Sequence, residues 1–266
     1  MHDTPAERLS PLLRKLSSLG AISRSETEAV FALPVTIRDL RPEQDLVRQG
    51  DRPSQTCVML AGMSYRFKIV GDGAKQIFSY HIAGDLPDLQ SLYLVNMDHT
   101  LCTLTRSTVA FVPHRALHNL IDTHPRLAGL LWRDTLIDGS IVREWMCSIG
   151  RRSAKSRIAH LICELFVRYR NLGLAEGMTI PFGLTQVNLG DSLGLSVVHV
   201  NRVVRHLKQD RLIAIEGRKL TVLHWDALVR TGDFDTDYLH LAPREAEAVS
   251  SRLGSPSDDS QYGAAK

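Results

Sequence analysis

Residues 183–208 read Gly-Leu-Thr-Gln-Val-Asn-Leu-Gly-Asp-Ser-Leu-Gly-Leu-Ser-Val-Val-His-Val-Asn-Arg-Val-Val-Arg-His-Leu-Lys. The pattern is two short helices interrupted at Gly194-Leu195-Ser196, the spacing of a helix-turn-helix. Thr185 is placed to cap the first helix, whose inward face is Val187, Leu189 and Leu193, and Gly194 stands where a left-handed residue has to end it. Ser196 is placed to cap the second helix. From that cap Val200, Val203, Val204 and Leu207 recur at helical spacing and are expected to bury, leaving Val197, Val198, Asn201, Arg202 and Arg205 on the opposite face.

That outward face has the chemistry of a major-groove reader. An arginine in the first turns of a groove-inserted helix donates two hydrogen bonds to O6 and N7 of one guanine, and Arg202 is the candidate. Asn201 could pair with an adenine edge or only pack near the backbone, and the methyls of Val197 and Val198 suit thymine methyl groups. Gln186, His199, Arg205 and Lys208 complete the candidate set, the last three as phosphate contacts. An ordinary helical hairpin with a solvated basic face is the competing reading. Against it stands the segment after Lys208: a β-rich run over 209–215, a turn at Glu216-Gly217-Arg218-Lys219, and a second β-rich run over 220–223. This is a wing, with Arg218 and Lys219 at its tip beside the duplex backbone.

The chain from about Val35 to Trp225 resembles the Crp/Fnr-type transcription regulators through Leu184-Thr185, Leu189-Gly190, Leu193-Gly194-Leu195-Ser196, Val200-Asn201-Arg202 and Leu207 with Leu212-Ile213 beyond it. The resemblance implies an α+β chain with an N-terminal antiparallel β-roll sensor of the cyclic-nucleotide-binding kind, a long dimerisation helix and a C-terminal winged helix-turn-helix. It also implies a homodimer on double-stranded DNA, with RNA polymerase as a candidate partner, and a guanine contact for Arg202. Val197 and Val198 stand where the catabolite-activator type has an arginine and a glutamate, so a different operator is expected.

Composition agrees with a globular protein holding two modest cores: 266 residues, 44% hydrophobic, 23% charged, formal net charge +3. Basic residues outnumber acidic ones roughly two to one between Arg151 and Trp225, where phosphates would have to be neutralised. No apolar run approaches membrane-spanning length and no signal-peptide core stands at the N-terminus, so a cytoplasmic protein with no membrane partner is expected. Cys57, Cys102, Cys147 and Cys163 are scattered, with no Cys-x-x-Cys. They are expected to be buried free thiols. The iron–sulfur members of the family carry a cysteine cluster near the N-terminus, and none precedes Cys57, so no such cluster is expected.

Leu12, Leu13, Leu16, Leu19, Ile22, Val30 and Leu33, broken at Gly20, predict two short helices. Between Val35 and Val112 the pattern changes to short alternating runs (45–51, 57–62, 64–70, 76–82, 108–112), with Asp72-Gly73 as a hairpin tip, which predicts a small antiparallel barrel. Cyclic-nucleotide-binding relatives follow the Gly-Asp matching Gly84-Asp85 with a Gly-Glu pair for the ribose and an arginine for the phosphate. This chain instead has Leu86-Pro87-Asp88-Leu89-Gln90-Ser91-Leu92, and Asp88 and Asp98 would repel a phosphodiester. Cyclic-nucleotide binding of the usual type is therefore not expected, and Asp85, Asp88, Gln90, Ser91 and His99 are the candidates for a pocket holding an unidentified effector.

His114 and His118, four apart on an expected helix, could hold haem or a metal, but polar decoration of that helix explains them as well, and no metal or haem is expected. Neither a compact metal-binding cluster of the barrel-enzyme kind nor a nucleophile–base pair or phosphate loop is present, so no catalytic residue is assigned.

The apolar-rich segment 126–150 is expected to be the dimerisation helix, with Leu130, Ile137, Ile141 and Trp145 in the interface; a core helix is the alternative. The expected domains are a sensor over 1–125, the dimerisation helix over 126–150, a winged domain over 151–226 opening with a helix capped by Ser153, and an extension over 227–266 of unassigned role. The extension is expected to hold a helix over 243–253 and a disordered polar end. The chain is thus expected to be a dimeric regulator on a palindromic site. The alternatives are a regulator that needs no effector, and a haem- or metal-binding sensor or barrel enzyme with an accessory DNA domain.

Overall fold

Two helices open the described part of the chain, which in the computed structural model is residues 8–241. Helix α1 (Ser10–Leu19) buries Leu12, Leu16 and Leu19, a single stripe at helical spacing. Helix α2 (Arg24–Phe31) begins with a capping box in which Ser23 and Glu26 satisfy each other's backbone N–H groups. The helix expected over 243–253 and the polar end after it lie outside the described residues.

Seven short strands then build the roll: β1 (Thr36–Leu40), β2 (Asp45–Val47), β3 (Gln55–Ala61), β4 (Ser64–Val70), β5 (Ala74–His81), β6 (Thr100–Thr103) and β7 (Ser107–Pro113). They pair antiparallel as two sheets, in the orders β1-β7-β3 and β2-β6-β4-β5. Residues 71–73 turn the chain between β4 and β5, as Asp72-Gly73 predicts, and Val70 accepts from the Gly73 N–H at 3.1 Å. Strand β6 is not evident in the sequence, because Asn96-Met97-Asp98-His99 in front of it carries no alternation.

Helix α3 (His114–Thr123) leads into α4 (Pro125–Arg151), the 27-residue helix that links the roll to the C-terminal winged domain. That domain comprises α5 (Ala154–Asn171), β8 (Thr179–Pro181), α6 (Gln186–Leu193), α7 (Val197–Gln209), β9 (Ile213–Glu216), β10 (Lys219–Val222) and α8 (Trp225–Gly232). The wing has three strands, ordered β8-β10-β9, where the sequence suggests two. The boundary expected at 226/227 falls inside α8. That helix belongs to the winged domain because it packs on α5 so closely that a Cβ at Gly232 would come within 2.8 Å of the His160 backbone N.

One buried cluster crosses all these parts. It contains Tyr65, Ile77 and Tyr80 from the roll, Ile137, Ile141 and Trp145 from α4, Phe166 from α5, and Leu189, Val200 and Leu207 from the helix-turn-helix. Of the expected dimer contacts, Ile137, Ile141 and Trp145 are buried in their own chain and Leu130 is partly so, which leaves them little surface to offer a partner. The apolar surface of α4 is wide because most of it packs on the roll and the winged domain.

Residues 233–241, which the sequence suggests are an extension, fold back under α4 and α5. Phe234, Tyr238 and Leu239 are buried, and Tyr238 stacks on the His160 ring with centroids 5.7 Å apart. At the centre lies the fully buried Glu164, which accepts from the Trp145 indole N–H (2.8 Å), the Tyr238 hydroxyl (3.2 Å) and the Arg168 guanidinium (3.2 Å). Arg133 of α4 donates to the His240 carbonyl at 3.2 Å.

A buried carboxylate that loses a donor keeps its desolvation penalty. Trp145→Phe, which keeps an aromatic ring but removes the indole N–H, is therefore expected to destabilise the protein by about 1–3 kcal/mol in urea unfolding. An unchanged midpoint would show that Glu164 does not depend on this bond.

Candidate nucleic-acid interface

The helix-turn-helix is fixed by local chemistry at both breaks. Thr185 and Asn188 form a capping box at the start of α6. Gly194 ends that helix at φ 64°, ψ 42°, a left-handed conformation that glycine adopts without steric cost. Ser196 then accepts from the His199 N–H at 3.3 Å and opens α7. Gly190 permits the close crossing: a Cβ there would meet the Leu195 carbonyl oxygen at 2.7 Å.

On α7 Val200, Val203, Val204 and Leu207 are buried. Val197, Val198, Arg202, Arg205 and Lys208 are exposed, while His199, Asn201 and Gln186 are half-buried. On α6 the expectation for Val187 fails. It is 52% exposed, because the inward side of the short helix is already filled by Leu189, Ser192 and Leu193.

Three of the candidate contacts are joined. The Asn201 carboxamide donates to Gln186 at 3.1 Å and accepts from Arg205 at 3.1 Å. Asn201 is thereby committed to holding α6 to α7 and to aiming Arg205. Arg202 makes no such bond and is left to project from the same face as Val198, one turn away. At the wing tip Arg218 and Lys219 are exposed, with Lys219 in a surface ion pair with Glu176 at 3.1 Å.

The five effector-pocket candidates are not brought into one pocket. Ser91 meets His114 at 3.1 Å, and His99 lies between Asp98 (2.7 Å) and Gln90 (3.4 Å). Asp88 is buried against β3, where one oxygen accepts from the Cys57 N–H at 2.8 Å and the other has no hydrogen-bond partner.

Asp85 and Gln90 do line a cavity between the roll and α4, together with Lys15, Arg66, His81, Asp134, Asp138 and Arg168. It measures about 30 Å³, room for a few waters and not for a nucleotide. Its charges pair internally. Asp85 accepts from Lys15 (2.8 Å) and Arg168 (2.9 Å), Lys15 also meets Asp134 (3.1 Å), and Arg66 meets Asp138 (2.5 Å). Burial works against the Asp85 charge, but Lys15 and Arg168 outweigh it and hold the carboxyl below the usual range. Burial, with Arg66 nearby, pushes His81 down to about 3, so it is neutral at physiological pH. Sequence reading misses Lys15, Arg66 and Arg168, since each sits in an unremarkable local pattern and only the fold gathers them.

His114 and His118 part company: His114 meets Ser91, and His118 packs edge-on against Tyr93. Among the described residues no group of three or more His, Cys, Asp or Glu is placed to hold a metal ion. Cys57, Cys102 and Cys163 are buried as expected, but Cys147 is exposed on α4. No helix of the described residues is long and apolar enough to cross a membrane.

Two family descriptions match the chain: a cyclic nucleotide-binding domain over residues 37–124 and a Crp-like helix-turn-helix domain over residues 156–231. The transcriptional activator protein Anr of Pseudomonas protegens is 25% identical over 215 residues, 81% of this chain and 86% of Anr. The transcriptional activator protein FnrL of Cereibacter sphaeroides is 26% identical over 189 residues, 70% of this chain and 75% of FnrL. Among solved structures, FixK2 from Bradyrhizobium japonicum has a TM-score of 0.68 at 20% identity, covering 75% of this chain and 98% of its own. The c-di-GMP responsive global regulator CLP of Xanthomonas campestris has a TM-score of 0.60 at 16% identity, covering 76% of this chain and 100% of its own. The solved structures share the fold.

Asp88 supplies a pH test of the roll. Burial raises its carboxyl to about 6 from an ordinary 3.8, so its stabilising proton is present below about pH 4 and is lost as pH rises through 6. Asp88→Asn, which carries no charge to bury, should gain about 2–3 kcal/mol on the parent between pH 4 and pH 7 in denaturant titrations. A constant difference across that range would contradict the burial of an ionisable Asp88.

Proposed function

This chain is a Crp/Fnr-type DNA-binding transcription regulator, and from that premise we propose that two copies bind one palindromic site, each laying α7 in a major groove. The observation that carries the proposal is the α7 face itself: capped at Ser196, exposed at Val197, Val198, Arg202, Arg205 and Lys208, and without a carboxylate. Arg202 reads a guanine. Arg205, Lys208, His199 and the wing-tip Arg218 and Lys219 meet phosphates, and Gln186 and Asn201 position Arg205. The half-sites lie about one helical turn apart.

The dimer contact is reassigned to the outward stripe of α4. Gly129, Trp132, Leu136, Gly139, Arg143, Met146 and Gly150 recur at alternating spacings of three and four, and all but the half-buried Gly139 are exposed. That is the spacing of a two-stranded coiled-coil seam, in which the glycines allow close approach. It replaces Leu130, Ile137, Ile141 and Trp145, which serve the chain's own core.

The internally paired charges around Asp85 support a sensor that does not take a cyclic nucleotide in the usual way. Any effector acting there has to displace part of that network, and the same closure favours a second reading, a regulator that needs no small molecule. The protein acts by binding DNA and not by catalysis, in the cytoplasm. The activator names of the relatives make RNA polymerase a candidate partner.

Selection of random duplexes by the purified protein, with and without small-molecule cell extract, tests the reading. Enrichment of one palindrome supports it, and enrichment only with extract establishes an effector. No enrichment in either condition overturns it.

On the selected site, Arg202→Ala should relax the preference at one guanine and cost about 1–3 kcal/mol per half-site. Lys219→Ala should weaken binding evenly across sequences and flatten its salt dependence. An unchanged preference in the first variant, or a changed one in the second, would reverse these roles. Leu136→Arg, exposed in one chain, should shift sedimentation from dimer to monomer and lower affinity for the palindrome. A dimer that persists would remove the seam.

A further inference from the structure

The most exposed large hydrophobic side chain among the described residues is Val198, at 82%, and its neighbour Val197 is 44% exposed. Apolar surface of this kind is disfavoured in water, and here it stands in the first turn of α7, one helical turn before Arg202. The helix carries no carboxylate, and the Asn201 oxygen already accepts from Arg205. The leading end of the reading face therefore offers methyl groups and no charged acceptor.

In the major groove thymine shows a methyl and an O4 acceptor, whereas cytosine shows an N4 amino donor. A valine satisfies neither polar group, but it buries against a C5 methyl. Beside Val198 the thymine O4 and the cytosine amine both lose water without gaining a partner, so what separates the two bases there is the methyl group that thymine has and cytosine lacks.

We propose that Val198, supported by Val197, reads the C5 methyl group of a pyrimidine beside the guanine held by Arg202. The site is thus thymine-selective by its methyl, and a cytosine methylated at C5 partly substitutes for that thymine. This rests on the placement of α7 in the major groove. It adds a response to base methylation that a hydrogen-bonding residue at position 198 would not give.

The test uses the full-length protein and the palindrome obtained by selection, remade with single-base changes in both half-sites. Deoxyuridine for thymine removes one methyl and nothing else, and 5-methylcytosine against cytosine adds one to the alternative pair. Burial of one methyl corresponds to about fourfold in affinity per half-site and about fifteenfold for the palindrome. The expected result is that both exchanges show this ratio at the same pyrimidine. The ratio should collapse in Val198→Ser, whose exposed position makes the change harmless to folding.

Equal binding of uracil and thymine at every position overturns the proposal, as does a methyl effect undiminished in Val198→Ser. If no palindrome is enriched, the placement of α7 fails and the proposal with it. A palindrome whose guanine responds to Arg202→Ala but whose thymines are methyl-blind overturns this inference alone.

Discussion

Asp85 is a carboxylate taken out of water, and three separated parts of the chain meet to compensate it. Lys15 reaches it from α1, Arg168 from α5 of the winged domain, and the Ile82 N–H from its own loop. A charge buried this deeply is tolerated only with such partners, and removing one would leave the rest uncompensated. The roll, the first helix and the winged domain are therefore tied to one another through one acidic side chain. The long helix α4 joins the same network through Asp134 and Asp138. Coulombic pairing gives this junction its geometry, and the apolar cluster around Tyr80, Ile141 and Phe166 supplies the burial that makes the pairing strong.

The helix-turn-helix is legible in the sequence almost to the residue because its information is local. Thr185, Gly194 and Ser196 act on backbone groups within a few positions of themselves, and the burial of Val200, Val203, Val204 and Leu207 follows from helical periodicity alone. Only Val187 breaks the pattern, since on an eight-residue helix two apolar residues suffice to fill the inward side. The roll is legible as alternating runs, apart from β1, which none of those runs covers, and β6, whose four residues come after an irregular loop.

The long helix shows why the remainder is not legible. Sequence gives the width of an apolar surface but not which neighbour covers each part of it. Ile137, Ile141 and Trp145 read as well for a partner's helix as for the chain's own roll. Once the inward residues are known, the outward ones fall into the alternating three-and-four spacing at Trp132, Leu136 and Met146. The cavity residues escape for a related reason. Lys15, Arg66 and Arg168 are distant in sequence, and nothing in the neighbourhood of any one of them announces the other two.

The segment 233–241 bears on the order in which this protein can reach its final form. Its Tyr238 hydroxyl is one of three donors to Glu164, and Phe234 and Leu239 cover apolar surface of α5 and α4. It comes after every other described element. During synthesis the roll, α4 and most of the winged domain emerge while Glu164 lacks one donor and the groove beneath it is open. Among the described residues this segment is the last to join the seam, so interrupted synthesis just beyond α8 would yield a winged domain with its elements formed and its floor missing.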